Sequence, residues 1–246
     1  MIPMDTLEFQ RACDAVIHRE KVSAGIGTLG EKTLHAVLKH YFEPYTPNHE
    51  IKVGGFVADI VGESGIIEIQ TRGFDKLRRK LEAFLEVAPV TVVYPVAQTK
   101  WLCWIDEGGS VSNRRKSPKT GKVFEVFDEL YKIKPYLSHP NLRLCIVLLE
   151  LEEYRFLNGW GRDKKRGSTR CDRIPVRLCD EIRVEGPWDY AKLIPEGLDE
   201  AFTAKEYKAA AGIYLSTAQT GLNILNSLGT VIRAGKKGNA YIYIRA

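Results

Sequence analysis

The stretch VADIVGESGIIEIQTR, Val57 to Arg72, sets two carboxylates, Asp59 and Glu68, inside otherwise apolar runs. An ionised carboxylate is costly to bury unless something pairs with it or binds it. The two runs flank Gly62-Glu63-Ser64-Gly65, which suits a short hairpin loop. Pairing Val61 with Ile66 across that loop puts Asp59 directly opposite Glu68. Cross-strand neighbours have Cβ atoms roughly 4.5–5.5 Å apart, and like charges there repel. Gln70, two residues beyond Glu68, shares its face. A divalent cation turns this repulsion into binding, since Mg²⁺ needs few oxygen ligands and keeps several waters. The other reading is an exposed hairpin with both acids in water, although Ile66, Ile67 and Ile69 fill both faces of the second strand.

Around this hairpin the pattern is mixed α/β. The spacing predicts helices over Thr6–Glu20, with Leu7, Ala12, Ala15 and Val16 inward, and over Gly30–Tyr41. Strands are expected at Glu50–Gly54, Phe56–Val61 and Ile66–Thr71, then a helix over Phe74–Val87. VTVVYPV and KWLCWI read as two further strands, Val123–Tyr136 as a helix, and Leu142–Leu151 as a buried strand.

The order helix acid, hairpin aspartate, acid on the next strand, then a helix resembles the PD-(D/E)XK nucleases, Holliday-junction resolvases included. Glu31, Asp59 and Glu68 match that layout, Gln70 stands in the lysine position, and TRGFDKLRRKLEAF is the following helix. The resemblance covers about Leu29 to Val96. It implies a restriction-endonuclease-like core, a mixed sheet flanked by helices. It also implies Mg²⁺ or Mn²⁺ held by Asp59, Glu68 and the Ile69 carbonyl, with Glu31 contributing and Gln70 positioning the attacking water. Ala58 replaces the motif proline. Glutamine cannot supply the missing positive charge, and Lys52, Arg72 or Lys76 are the candidates to replace it.

Two loops are basic: NRRKSPKTGK has five cations and no acid, and WGRDKKRGSTR has five against one acid. Arg114, Arg115, Lys116, Lys164, Lys165 and Arg166 are therefore candidate phosphate contacts, with Arg72 and Lys76 beside the hairpin. The tail from about Phe202 reads as a winged helix-turn-helix. Capping boxes are expected at Thr203/Glu206 and Ser216/Gln219, with a helix-ending glycine at Gly229 and a hairpin over Thr230–Arg245. Ala218, Leu222, Leu225 and Leu228 form its inward stripe. Thr217, Gln219, Thr220 and Asn223 would face DNA, and Lys236 and Lys237 would touch its backbone.

The expected organisation is a nuclease-like domain over residues 1–155, a basic connecting segment over 156–200 and a winged helix over 201–246. The partner implied is DNA, duplex or branched; a homodimer is compatible. The 246 residues contain no membrane-length apolar run, and the N-terminus has no basic region ahead of an apolar stretch. Five scattered cysteines form no CxxC pair and read as reduced cytoplasmic thiols. GIGTLG, Gly25 to Gly30, follows a charged helix end rather than a strand, so it reads as a loop and not a dinucleotide site. Two functions fit: a metal-dependent endonuclease, or a DNA-binding regulator on a nuclease scaffold without activity.

Overall fold

The computed structural model describes residues 6–23, 33–158 and 167–246. The fold is α/β, with a large mixed sheet flanked by helices. Strands β1 (His49–Val53), β2 (Phe56–Gly62), β3 (Gly65–Ile69), β4 (Val90–Ile105), β5 (Arg115–Lys116), β6 (Leu142–Phe156) and β7 (Thr169–Val184) form one seven-stranded sheet. Its order is β1-β2-β3-β4-β6-β7, with β5 paired to β4. The chain divides into two compact units, Met1–His49 with Ala97–Gly121 and Val147–Asp180, and Glu50–Val96 with Lys122–Ile146 and Glu181–Ala246.

In the first unit, helix α1 (Thr6–Ser23) lies on helix α2 (Thr33–Phe42). Phe9, Ala12, Cys13 and Val16 are its buried face, an i, i+3, i+4, i+7 stripe, whereas Leu7 is exposed. The stripe therefore begins at Phe9, whose ring meets Tyr41 edge-on with centroids 5.4 Å apart. Both helices are tied to β7: the Cys13 thiol contacts the Pro175 carbonyl, and the Thr33 hydroxyl donates to Asp172.

In the second unit, β2 and β3 are antiparallel and β3 and β4 are parallel, with helix α3 (Arg78–Leu85) between them. A parallel pair needs such a crossover, and Leu77, Leu81, Phe84 and Leu85 are the buried residues that hold it down. Each contributes roughly 1.5–3 kcal/mol on burial. Gly65 starts β3 where a Cβ would come within 2.3 Å of the Pro89 carbonyl oxygen, so no larger residue fits there.

Several expectations change. The strands expected separately at 90–96 and 100–105 are one strand, β4. The helix expected over 123–136 is a short α-helix, α4 (Phe127–Leu130), between 3₁₀ turns, because Ile133 leaves helical geometry ahead of Pro135. The connecting segment contains β7, sixteen residues long, and a 3₁₀ turn over Pro187–Leu193.

Beyond it, β8 (Ala201–Thr203), helices α5 (Ala204–Ala211) and α6 (Leu215–Ser227), β9 (Val231–Lys237) and β10 (Ala240–Arg245) follow, with sheet order β8-β10-β9. The Thr203/Glu206 capping box forms, Gly212 ends α5 in the left-handed region, and Gly229 follows α6 in that same region. The Ser216/Gln219 box does not form, because α6 begins two residues earlier, with Tyr214 as its N-cap. Tyr207 centres this layer among the rings of Phe124, Phe127 and Phe202, and its hydroxyl donates to the Leu193 carbonyl.

Candidate functional site

The β2–β3 hairpin pairs Ile60 with Ile67 and Val61 with Ile66, and this register continued by one step places Asp59 opposite Glu68. The side chains interlock with the backbone. The Ile69 N–H donates to Asp59 Oδ2 at 2.8 Å, and the Asp59 N–H donates to Glu68 Oε1 at 3.3 Å. Asp59 is half-buried, while Glu68 is only 2% exposed. Burial, and then the Asp59 charge, push the Glu68 carboxyl up to about 7, against the opposing pull of Lys80.

Lys80 is the residue that sequence reasoning missed. It sits in the first turn of α3, and its ammonium donates to both Glu68 oxygens, at 3.1 and 2.8 Å. A signal was available: Lys80 lies three residues after Leu77 and four before Phe84, on the apolar face of that helical segment. The cation beside the carboxylates is thus Lys80 rather than Lys52, Arg72 or Lys76, which are exposed. Gln70 turns aside, its amide donating to the Arg72 carbonyl. Glu31, expected to complete the acid set, lies outside the described residues. Among the described residues, no three His, Cys, Asp or Glu side chains come together as a metal-holding group.

The expected nucleic-acid contacts divide. Arg115 and Lys116 form β5 and are exposed, paired against Leu102 and Trp101. Arg114 lies over the Trp101 ring, 4.5 Å from its centroid, and bonds Glu152. Lys164, Lys165 and Arg166 lie outside the described residues. On α6, Gln219 is exposed and Thr220 half-buried, but Thr217 is 5% exposed and donates to Asp128. Thr217 therefore faces inward, contrary to expectation, and Asn223 accepts from Lys134. Leu228 is only half-buried. Lys236 and Lys237 are exposed on β9, with the Lys236 ammonium 4.9 Å from the Tyr241 ring centroid.

Residues 32–185 match the model of a family described as a domain of unknown function, DUF8091. The chain belongs to this family. The DUF8091 span includes Asp59, Glu68 and Lys80 and ends before β8. A Treponema pallidum (strain Nichols) protein described as uncharacterized is 31% identical over 222 residues, covering 89% of this chain and 86% of that protein. No solved structure matches. No described helix is long and apolar enough to cross a membrane.

Proposed function

We propose that the chain is a metal-dependent DNA endonuclease of PD-(D/E)XK type. The observation that carries this reading is Glu68, buried opposite Asp59 with its proton affinity raised even beside Lys80, a cost that a metal ion shared by the two carboxylates would relieve. The donor set fits a hard cation: two carboxylates and the Ile69 carbonyl at the end of β3 are all oxygen, as Mg²⁺ or Mn²⁺ prefers. When bound, such an ion activates water and stabilises charge on a phosphodiester. Asp59 is oriented by the Ile69 N–H, and Glu68 by the Asp59 N–H and the Lys80 ammonium, so both carboxylates are positioned by the hairpin and α3 themselves. Lys80 supplies the positive charge that Gln70 cannot.

Residues 201–246 support a winged-helix reading through their strand–helix–helix–strand–strand order and exposed lysines at the β9–β10 turn. In that role Gln219 and Thr220 face DNA, while Thr217 and Asn223 hold α6 to Asp128 and Lys134.

A second reading, a DNA-binding protein without catalysis, is favoured by one observation. Lys80 already bonds both oxygens of Glu68, and a lysine there can stand in for the metal. The deciding experiment is cleavage of linear, branched and single-stranded DNA with Mg²⁺ or Mn²⁺, comparing wild type with Asp59→Asn and Glu68→Gln. Metal-dependent cutting lost in both variants supports the endonuclease. Cutting that survives either substitution refutes the site, and binding without cutting moves the chain to the second reading.

A further inference from the structure

Glu153, on β6, is fully buried at 0% exposure and is surrounded by four cations. Arg155 Nε donates to it at 2.8 Å and Arg173 Nε at 3.1 Å, while Arg170 Nε lies at 3.4 Å and the Lys100 ammonium at 3.7 Å. Burial pushes the Glu153 carboxyl up, but the Arg155 bond and the charges of Lys100, Arg173 and Arg170 outweigh it and bring it down to about 2. One carboxylate balances one cation, so Glu153 alone does not balance the four charges gathered on it.

The excess is accessible. The side chains of the four cations are 22–34% exposed, so each leans on Glu153 while keeping part of itself in water. A carboxylate offers about four lone-pair sites, whereas each guanidinium carries five N–H donors and an ammonium three. Arg155 commits one further donor to Ser168. Among the described residues, no hydrogen bond uses the two terminal nitrogens of Arg173. Lys100 is disfavoured as a cation first by its own burial and then by the three arginine charges, with Glu153 opposing, so a second anion would relieve real repulsion.

The cations also extend across the sheet. They come from β4, β6 and β7, neighbours in the strand order, and β5 lies on the far side of β4. Trp101 pairs with Lys116 and Leu102 with Arg115, and the Ser117 N–H bonds the Lys100 carbonyl. Side chains alternate along a strand, so exposed Arg115 stands on the same face as Lys100. Three strand spacings of about 4.8 Å make a cationic band roughly 14 Å wide. That width is on the order of four phosphates of one strand at about 3.4 Å each. A band suits a polyanion better than a single small anion, and the arginine fork matches phosphate oxygens.

We propose that Lys100, Arg155, Arg170 and Arg173, gathered on Glu153 with Arg115 beside them, form a binding surface for the phosphodiester backbone of a nucleic acid. This surface deepens the nucleic-acid reading above and rests on it for the ligand class, but it requires no metal. The test is therefore fluorescence anisotropy of the full chain in EDTA, on 20-nucleotide single-stranded and duplex DNA, over a range of salt. Lys100→Gln and Arg170→Gln remove the two most distant cations and leave Glu153 with two close partners. Each should weaken binding about 5- to 8-fold at 0.1 M salt and flatten the salt slope by about 0.7 on single strands or 0.9 on duplex. Arg170→Lys should keep most of the slope, and Lys192→Gln, a charge removed outside the cluster, should leave it unchanged. Thermal unfolding confirms that each variant folds; should one fail, the other single variant carries the measurement. Equal slopes for wild type, Lys100→Gln and Arg170→Gln would overturn the proposal. So would stabilisation of wild type by inorganic phosphate with DNA binding indifferent to these variants, which would make the cluster a small-anion site. Loss of binding in these variants with no cleavage by wild type in Mg²⁺ upholds the surface and defeats only the catalytic reading.

Discussion

Glu68→Gln should make the metal-free protein more stable at pH 8 and scarcely change it at pH 5. The Glu68 carboxyl is raised from an ordinary value of 4.5 to about 7, first by burial and then by Asp59. The folded chain thus holds this proton more tightly than the unfolded chain. Its stabilising contribution is full below pH 4.5, erodes above it, and is gone once pH passes about 7. At about 1.4 kcal/mol per pKa unit, ionising Glu68 in the folded chain costs on the order of 3 kcal/mol. Glutamine copies the neutral acid and keeps an oxygen for Lys80, so the variant should gain up to about 3 kcal/mol at pH 8 but under ~1 kcal/mol at pH 5. For a chain of this size that is a rise in Tm of roughly 6–12 °C at pH 8. The assay is thermal unfolding in EDTA at pH 5, 6, 7 and 8, repeated with millimolar Mg²⁺ or Mn²⁺. Added metal should raise the wild-type Tm, most at high pH, and leave the variant unmoved. A variant less stable than wild type at pH 8, or a gain that does not shrink on acidification, would refute the account of a strained carboxylate pair.

Lys80→Ala should shift the Glu68 titration further upward, because it removes a cation bonded to both carboxylate oxygens; carboxyl titration followed by NMR reads this directly, and an unchanged value would contradict the contact. Glu153→Gln should cost about 3–5 kcal/mol in urea unfolding, because four cations lose their shared counter-charge. Wild type should likewise lose the Glu153 contribution as pH falls from 4.5 toward about 2, since this carboxyl is lowered rather than raised. Gly221→Ala should destabilise by about 1–3 kcal/mol despite alanine's better helix propensity, because the new Cβ would meet the Phe127 ring at 2.6 Å; a more stable variant would show that α6 and Phe127 separate easily.

What the sequence made legible follows physical pattern. The β2–β3 register could be read because glycines bracket the turn and the side-chain period of a strand fixes who faces whom. Lys80 stood on the apolar face of its helix, but its run with Arg78 and Arg79 obscured that signal, and only the β3-α3-β4 crossover brings it back to Glu68. Strand β7 was hidden by its charges and by Pro175. The structure makes both tolerable: β7 ends the strand order, where proline costs no inner ladder bond, and Arg173 and Arg177 pair with Glu153 and Glu150.

The tail shows the limit of reading one face of a helix. Ala218, Leu222 and Leu225 marked a correct inward stripe, yet Thr217, Gly221 and Ile224, at i, i+4 and i+7, form a second buried one. Gly221 meets the Phe127 ring, and the Thr217 hydroxyl meets Asp128. A helix buried on two sides has little surface left for DNA, which narrows any reading role to Gln219, Thr220 and neighbouring exposed positions. It also makes the layer from 201 to 246 dependent on residues seventy or more positions upstream, for Phe127 packs on Tyr207 as well. A fragment cut near residue 196 would expose the α6 face that Phe127 covers and leave Thr217 without its acceptor. Loss of DNA binding by such a fragment would therefore reflect a broken core, and the winged-helix role has to be tested in the whole chain, with Lys236→Ala and Lys237→Ala on the exposed hairpin.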